Sequence, residues 1–252
     1  TMKVVIAEKP SVAKDLSKVL KATRRQDGFY EGNNYLITWA FGHMIELCMM
    51  DAYDPKYKRW SMADLPMIPI RFKTKVRNDE GTEKQYKTIK ALLKREDITD
   101  VICATDAGRE GELIFRFIYR QARCKKPIKR LWISSMTDKA ILDGFAALKP
   151  GEEYQNLYDS ALSRSQSDWL VGLNATRAYT CKFSNGQGVF SVGRVQTPVL
   201  KMIVDRYNKN KNFTPSIFYE VIATIRHTNG VYTAKWIKNL KDKETRLDKK
   251  EQ

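Results

Sequence analysis

The feature that most narrows the fold is a repeated junction between a short, wholly apolar run and a helix. Lys3-Val-Val-Ile-Ala7 is dense in β-branched residues and shows no polar alternation, the pattern of a strand buried on both faces. Glu8-Lys9 follows at once, then Pro10-Ser11. Ser11 is predicted as the N-cap of a helix whose Val12, Leu16, Val19 and Leu20 share one side. Val101-Ile-Cys-Ala-Thr105 repeats the arrangement, running into Asp106-Ala-Gly-Arg-Glu110-Gly-Glu112 and a helix with Leu113, Phe117 and Ile118. Tyr35 to Ala40 and Leu131 to Ile133 read as further strands. Glu83 to Arg95 reads as a helix that buries Tyr86, Ile89, Leu92 and Leu93, and Asp138 to Leu148 as another. Met49 to Arg77 reads as a long loop with a short strand near Ile70. Strands alternating with helices predict an α/β domain, a mostly parallel sheet flanked by helices, over residues 1–150, with Pro150-Gly151 as its boundary.

The pattern then changes. Residues 151–214 read as a mainly helical domain: Tyr154 to Phe183 as one long helix or two, Ser184 to Gly188 as a loop, and Val192 to Asn208 as a helix with Val195, Val199, Met202 and Ile203 inside. Residues 215–252 turn strand-like, with Ile217 to Arg226 and Val231 to Ile237 joined at Asn229-Gly230, a strong hairpin signal. A lone hairpin is not independently stable, and the charge run Lys241 to Gln252 offers no partner strand. The sequence therefore reads as cut inside a β-rich domain, as a piece of a longer protein. Thr1 before Met2 reads as an added residue.

Charge limits the partners. The 252 residues hold 45 Lys and Arg against 29 Asp and Glu, a formal net charge of +16, which points to nucleic acid or an anionic membrane surface. No apolar run reaches the roughly 18 residues of a bilayer-spanning helix. Cys48, Cys103, Cys124 and Cys181 form no CxxC pair and only His43 and His227 accompany them, which argues against zinc and against a disulfide framework. The cysteines and His43 read as core residues.

Sites in open parallel sheets form at the carboxyl ends of strands. If the strands ending at Ala7 and Thr105 are neighbours, Glu8, Asp106 and Glu110 converge, and crowded carboxylates call for a hard divalent cation, magnesium first. The other reading makes Glu110 and Glu112 helix N-terminal acids that favour the dipole, leaving Glu8 and Asp106 unexplained. Lys9 and Arg109 set positive charge beside these acids, suited to a phosphodiester or simply to salt bridges. Arg164 and Asp168, four residues apart, with Arg177 nine further on, read as a solvated ion pair. In Ser191-Val-Gly-Arg-Val-Gln196, Ser191 is expected to cap the coming helix, with Gly193, Arg194 and Gln196 near a phosphate or a base edge. Tyr53 to Trp60 interleaves aromatics with cations, which suits stacking of single strands through Trp60, or packing of a compact loop.

Five motifs occur together and in order: Val-Ile-Ala-Glu8-Lys9-Pro-Ser-Val-Ala, Trp39-Ala-Phe-Gly-His43, Ala104-Thr-Asp106-Ala-Gly-Arg-Glu110-Gly-Glu112, Ser167-Asp-Trp-Leu-Val-Gly172 and Ser191-Val-Gly-Arg-Val-Gln-Thr-Pro198. The set resembles the type IA DNA topoisomerases, of the bacterial topoisomerase III branch, over nearly the whole chain. The resemblance implies a Toprim domain, then a helical domain that carries single-stranded DNA, then the start of a β-rich gate domain. It implies that Glu8 assists protonation of the leaving 3′-hydroxyl and helps hold Mg2+, that Lys9 contacts the scissile phosphate, and that Asp106 and Glu110 bind the metal. It implies that Arg164, Asp168, Arg177 and the 191–196 segment hold the strand. Gly108 stands where the family's acidic set has its middle member, which leaves a second metal without that ligand. None of the 12 tyrosines precedes Pro-Arg, so the nucleophile of the family's cleavage motif is absent from this chain. The resemblance further implies a bacterial, cytoplasmic, nucleoid-associated enzyme with no nucleotide cofactor and no membrane partner; the protein partners are left unknown. A stand-alone Toprim-type magnesium nuclease or primase-like protein is the alternative, and a non-catalytic strand-binding module a third.

Overall fold

The structure, a computed structural model, describes residues 1–239, 241 and 243–249. The chain runs through β1 (Met2–Ala7), α1 (Pro10–Val19), β2 (Arg24–Gln26), β3 (Phe29–Gly32), β4 (Tyr35–Trp39) and β5 (Ile45–Leu47). Three short 3-10 turns lead to β6 (Thr74–Val76), α2 (Glu80–Lys94), β7 (Ile98–Ala104) and α3 (Arg109–Gln121). Then come β8 (Ile128–Arg130), α4 (Asp138–Ala146), β9 (Lys149–Pro150), α5 (Gln155–Phe183), α6 (Gln196–Lys211), β10 (Ile222–His227) and β11 (Gly230–Lys235). The chain divides into two compact units, Thr1–Thr197 and Pro198–Gln252.

In the first unit the two apolar runs are adjacent, as their composition requires. The sheet order is β2-β3-β4-β1-β7-β8-β9, with β4-β1-β7-β8 parallel. β2, β3 and β9 join antiparallel at the edges, so the sheet is mixed there. Residues of β1 alternate between two cores. Val4 and Ile6 meet Ile89, Leu93, Leu113 and Ile118 of α2 and α3; Val5 and Ala7 meet Leu16 of α1 and Ile141 of α4. Each fully buried aliphatic side chain here is worth about 1.5–3 kcal/mol relative to exposure. Both faces are covered, which fixes the register and leaves only the strand ends open.

Several boundaries differ from expectation. Ser11 is not the N-cap of α1: Lys9 holds that position without a side-chain cap, and Pro10 supplies the fixed φ of the first turn. The strand expected near Ile70 is absent; Ile70 is fully exposed, and β6 pairs with β5 a few residues later. The strand expected at 131–133 lies at Ile128–Arg130, with Leu131 buried just beyond its end. No helix begins at Val192 and Ser191 caps none. The Phe190 N–H donates to Thr180 Oγ1 and the Val192 N–H to Thr176 Oγ1, so α5 holds this segment extended and α6 starts at Gln196. Cys181 is exposed and Cys124 half-buried, while Cys48 and Cys103 are in the core; all four are free thiols. His43 is exposed, not a core residue.

In the second unit, β10 and β11 form the expected hairpin, His227 facing Gly230. Among the described residues the terminal charge run adds isolated bridges rather than a strand: Leu247 and Tyr219 exchange backbone hydrogen bonds, both 2.8 Å. Residues 240, 242 and 250–252 of that run lie outside the described residues. Val199, Met202 and Ile203 of α6, expected inside, are exposed, as is Val195 before them.

Candidate functional site

Parallel pairing sets Ala7 of β1 opposite Ala104 of β7, so Glu8 and Asp106 emerge at one edge of the sheet. The Asp106 N–H donates to Glu8 Oε2 at 3.1 Å. Thr105 Oγ1 donates to the Gly111 carbonyl at 2.7 Å, drawing the first turn of α3 against the strand end. A Cβ at Gly111 would collide with the Asp106 backbone, so only glycine allows this approach. Lys9 is exposed where α1 begins, and Arg109 is exposed as the first residue of α3. Gly108 precedes it with extended backbone, φ 178°, and a Cβ there meets nothing.

Under this edge lies a buried ionic set. Glu112 and Arg130 are each 1% exposed. Glu112 Oε1 accepts from Arg116 Nε at 2.8 Å, and Glu112 Oε2 lies 3.1 Å from Arg130 Nε as an ion pair without hydrogen-bond alignment. Arg130 donates through Nη1 to the carbonyls of Cys103, Thr105 and Leu131 and through Nη2 to that of Asp106. The guanidinium therefore ties off the carbonyls of the strand end that carries Asp106. Burial pushes the nearby Cys103 thiol up to about 11, which keeps it neutral. Hydropathy gives no sign of Arg130, which follows Lys129 directly in the sequence.

Above the edge, charged side chains run continuously from α3 to the 191–196 segment. Glu110 Oε2 is 3.4 Å from His43 Nε2, and Glu110 Oε1 is 4.0 Å from Arg164 Nη1. Arg164 Nε lies 3.9 Å from Asp168 Oδ2, and Asp168 Oδ1 accepts from Arg194 Nε at 2.7 Å. An open cavity of about 470 Å³ is lined by Arg109, Ser163, Arg164, Ser167, Arg194 and Val195. Three expected cations thus border one space. Ser191 is exposed on the tied-down stretch. Gln196 opens α6, and its side chain fills the space next to Gly193.

Arg177 sits elsewhere. It is 5% exposed, donates to the Tyr57 carbonyl at 2.7 Å and lies 5.1 Å over the Trp60 ring. Burial lowers its pKa. Asn174 clamps Met67 through both its N–H and its carbonyl, and Trp169 Nε1 donates to the Cys48 carbonyl. One side of α5 therefore fixes the 49–77 loop and leaves Trp60 36% exposed. His43, expected in the core, instead joins this site beside Glu110; its motif, Phe41-Gly-His43-Met, is the sequence signal that marks it.

Among the described residues, no group of three or more His, Cys, Asp or Glu side chains gathers closely enough to cage a metal ion. Magnesium does not need such a cage, because it keeps several waters and takes one or two carboxylates plus substrate phosphates. Glu8 and Asp106 are adjacent, open, all-oxygen donors, and the Asp106 carboxylate has no ion-pair partner among the described residues. That donor set fits the ion.

Comparison with known proteins bears on the family and the fold. The Toprim domain family matches residues 3–136 and a DNA topoisomerase family matches residues 152–252. The chain is 53% identical over 220 residues to a DNA topoisomerase 3 of Bacillus anthracis, covering 87% of this chain and 30% of that protein. It is 48% identical over 243 residues to a DNA topoisomerase 3 of Bacillus subtilis, covering 96% of this chain and 32% of that one. The chain thus spans about a third of the length of these relatives. The fold matches that of full-length topoisomerase I from Thermotoga maritima, with a TM-score of 0.61 and 23% identity, over 98% of this chain and 36% of that one. Proteins of this family generally use Mg2+. No helix among the described residues is long and apolar enough to cross a membrane. With a Toprim match over more than half its length, continued by the topoisomerase match, the chain belongs to the Toprim-bearing type IA DNA topoisomerases and is topoisomerase III-like.

Proposed function

We propose that this chain is the magnesium-binding and strand-holding part of an enzyme that breaks one DNA strand by transesterification, lets another strand pass, and reseals the first without ATP. The observation that carries this reading is the unbroken line Glu110–Arg164–Asp168–Arg194, which joins the acidic strand ends to the 191–196 segment. A strand lying along that line meets cations and acids in one place.

Glu8 and Asp106, with Glu110 in the first turn of α3, are the residues that would hold Mg2+. The bound ion would supply Lewis-acid charge to phosphodiester oxygens. Lys9 and Arg109 place fixed positive charge beside the same acids, where phosphate charge accumulates during transfer. Glu8 would also assist protonation of the leaving 3′ oxygen. Arg164 and Arg194 contact backbone phosphates, and Asp168 fixes both guanidinia. Ser191, Gly193 and Gln196 line the strand's path. Arg177 acts on the strand only through the loop that presents Trp60 for stacking. The attacking tyrosine lies outside these 252 residues. In this scheme residues 1–150 serve as the Toprim domain, 151–214 as the helical strand-binding domain and 215–252 as part of a β-rich gate, in a nucleoid-associated cytoplasmic enzyme.

The test is salt-dependent binding of labelled oligothymidylate by the wild type and by the Arg164→Ala/Arg194→Ala pair. Affinity should fall steeply with salt in the wild type and drop tenfold or more in the pair, about 1.4 kcal/mol. Equal binding by both proteins refutes the strand path. Magnesium-dependent hydrolysis of the oligonucleotide by this chain alone would favour the stand-alone nuclease instead.

A further inference from the structure

The opposite end of the sheet carries a second concentration of charge. α3 starts beside Asp106 and ends at Gln121, about 20 Å away at 1.5 Å per residue. There a cavity of about 770 Å³ is lined by Lys90, Lys94, Arg120, Arg123, Lys125 and Lys126, together with five uncharged residues. No carboxylate lines it.

Helix dipoles explain part of this. α2 and α3 both end here, and cations favour helix C-termini. Lys126 does that work: its Nζ donates to the carbonyls of Arg95, the C-cap of α2, and Ile98. Arg120 is held by the Tyr158 hydroxyl, which accepts from Nη1 at 2.6 Å. The other four, Lys90, Lys94, Arg123 and Lys125, have no carboxylate within ion-pair distance among the described residues. Lys90 and Lys94 are one turn apart on α2. Arg123 adopts left-handed backbone, φ 54°, as the chain reverses at the end of α3 and brings residues 123–126 into the cavity wall. Four uncompensated cations in one concave surface repel one another, and a row of phosphates relieves that repulsion.

We propose that this cavity is a second nucleic-acid backbone site, contacting phosphates at the end of the sheet remote from Glu8 and Asp106. The inference rests on the DNA-binding function proposed above. A phosphodiester chain is favoured over an acidic peptide because the four free cations are spread along a helix turn and an adjoining reversal, matching a repeating charge rather than one carboxylate.

The experiment measures the slope of log affinity against log salt for labelled oligothymidylate. It compares the wild type, the cavity variant Lys94→Gln/Arg123→Gln/Lys125→Gln, and a variant with the same charge loss on the α1 face, Lys14→Gln/Lys18→Gln/Lys21→Gln. All six positions are exposed, so the folds are expected to survive, as thermal unfolding will show. Three lost phosphate contacts should reduce the slope by about 2 in the cavity variant, with no such change in the α1 variant. Equal slopes in the wild type and the cavity variant, or equal losses in the two variants, overturn the second site while leaving the first untouched. Loss of poly-glutamate binding in the cavity variant, with oligothymidylate unchanged, overturns it in favour of an acidic polypeptide. A wild type that binds no oligothymidylate at any salt overturns both readings.

Discussion

Two sets of acids lie within a few residues of each other and obey opposite rules. Glu112 is buried against Arg116 and Arg130, with its charge neutralised and its oxygens occupied. Asp106 and Glu110 sit on the open edge above it; one has no ionic partner among the described residues and the other faces His43 and Arg164 at 3.4 and 4.0 Å. The buried set builds the strand end. The open set is what the strand end presents. A carboxylate that holds up the fold is enclosed and paired, and one available to a cation or phosphate is left in solvent at the cost of repulsion with its neighbours. Charge type alone does not separate the two; burial does.

The contrast is broken most sharply from below. Glu112→Gln leaves two cations without their anion and should destabilise the first unit by about 3–5 kcal/mol in urea unfolding. An effect near zero would mean the ionic set does not hold the strand end. Gly111→Ala tests the join between the two sets. The added methyl displaces the Asp106 backbone, so we expect about 1–3 kcal/mol of lost stability together with weaker magnesium binding by calorimetry. Arg194→Ala, on the open side, should cost about 1 kcal/mol in strand affinity while leaving the thermal midpoint unchanged, since the side chain is exposed.

The smallest effect concerns Asp79, the N-cap of α2. Its hydrogen bond with Arg77, together with the Thr82 N–H, holds its carboxyl down to about 2. A depressed folded pKa contributes stability that is fully present above the unfolded value of about 3.9 and is lost as pH falls through about 2. Asn is an equally good cap without the charge. The midpoint difference between wild type and Asp79→Asn should therefore be constant near neutrality and shrink between about pH 4 and pH 2. A difference independent of pH would remove the charge from the explanation.

The same contrast explains what the sequence revealed. β1 and β7 were legible because strands buried on both faces must be continuously apolar, and the acids that follow them were legible as strand-end residues. β2, an exposed Arg-Arg-Gln edge strand, carries no such pattern, so the antiparallel edge was invisible. The stretch at 131–133 looked like a strand because Leu131 is buried, yet it packs from beyond the strand end. The helix predicted from Val192 failed because two threonines of α5, Thr176 and Thr180, bind the backbone there, a tertiary effect no local propensity contains. Arg130 was missed because a cation in a core is the exception that hydropathy cannot express. His43 was misread for the opposite reason, since one histidine near a strand reads as packing until its neighbour Glu110 is seen.

The proposed chemistry at the sheet edge requires the open carboxylates to bind a divalent ion. Titration of Mn2+, a paramagnetic substitute for magnesium, followed by loss of the free-ion resonance signal, measures this directly. We predict a saturable site in the wild type, weakened tenfold or more in Asp106→Asn, strengthened in Gly108→Asp, whose new side chain meets open space, and unchanged in Glu46→Gln, which lies away from the edge in β5. Identical Mn2+ binding by all four proteins would contradict it.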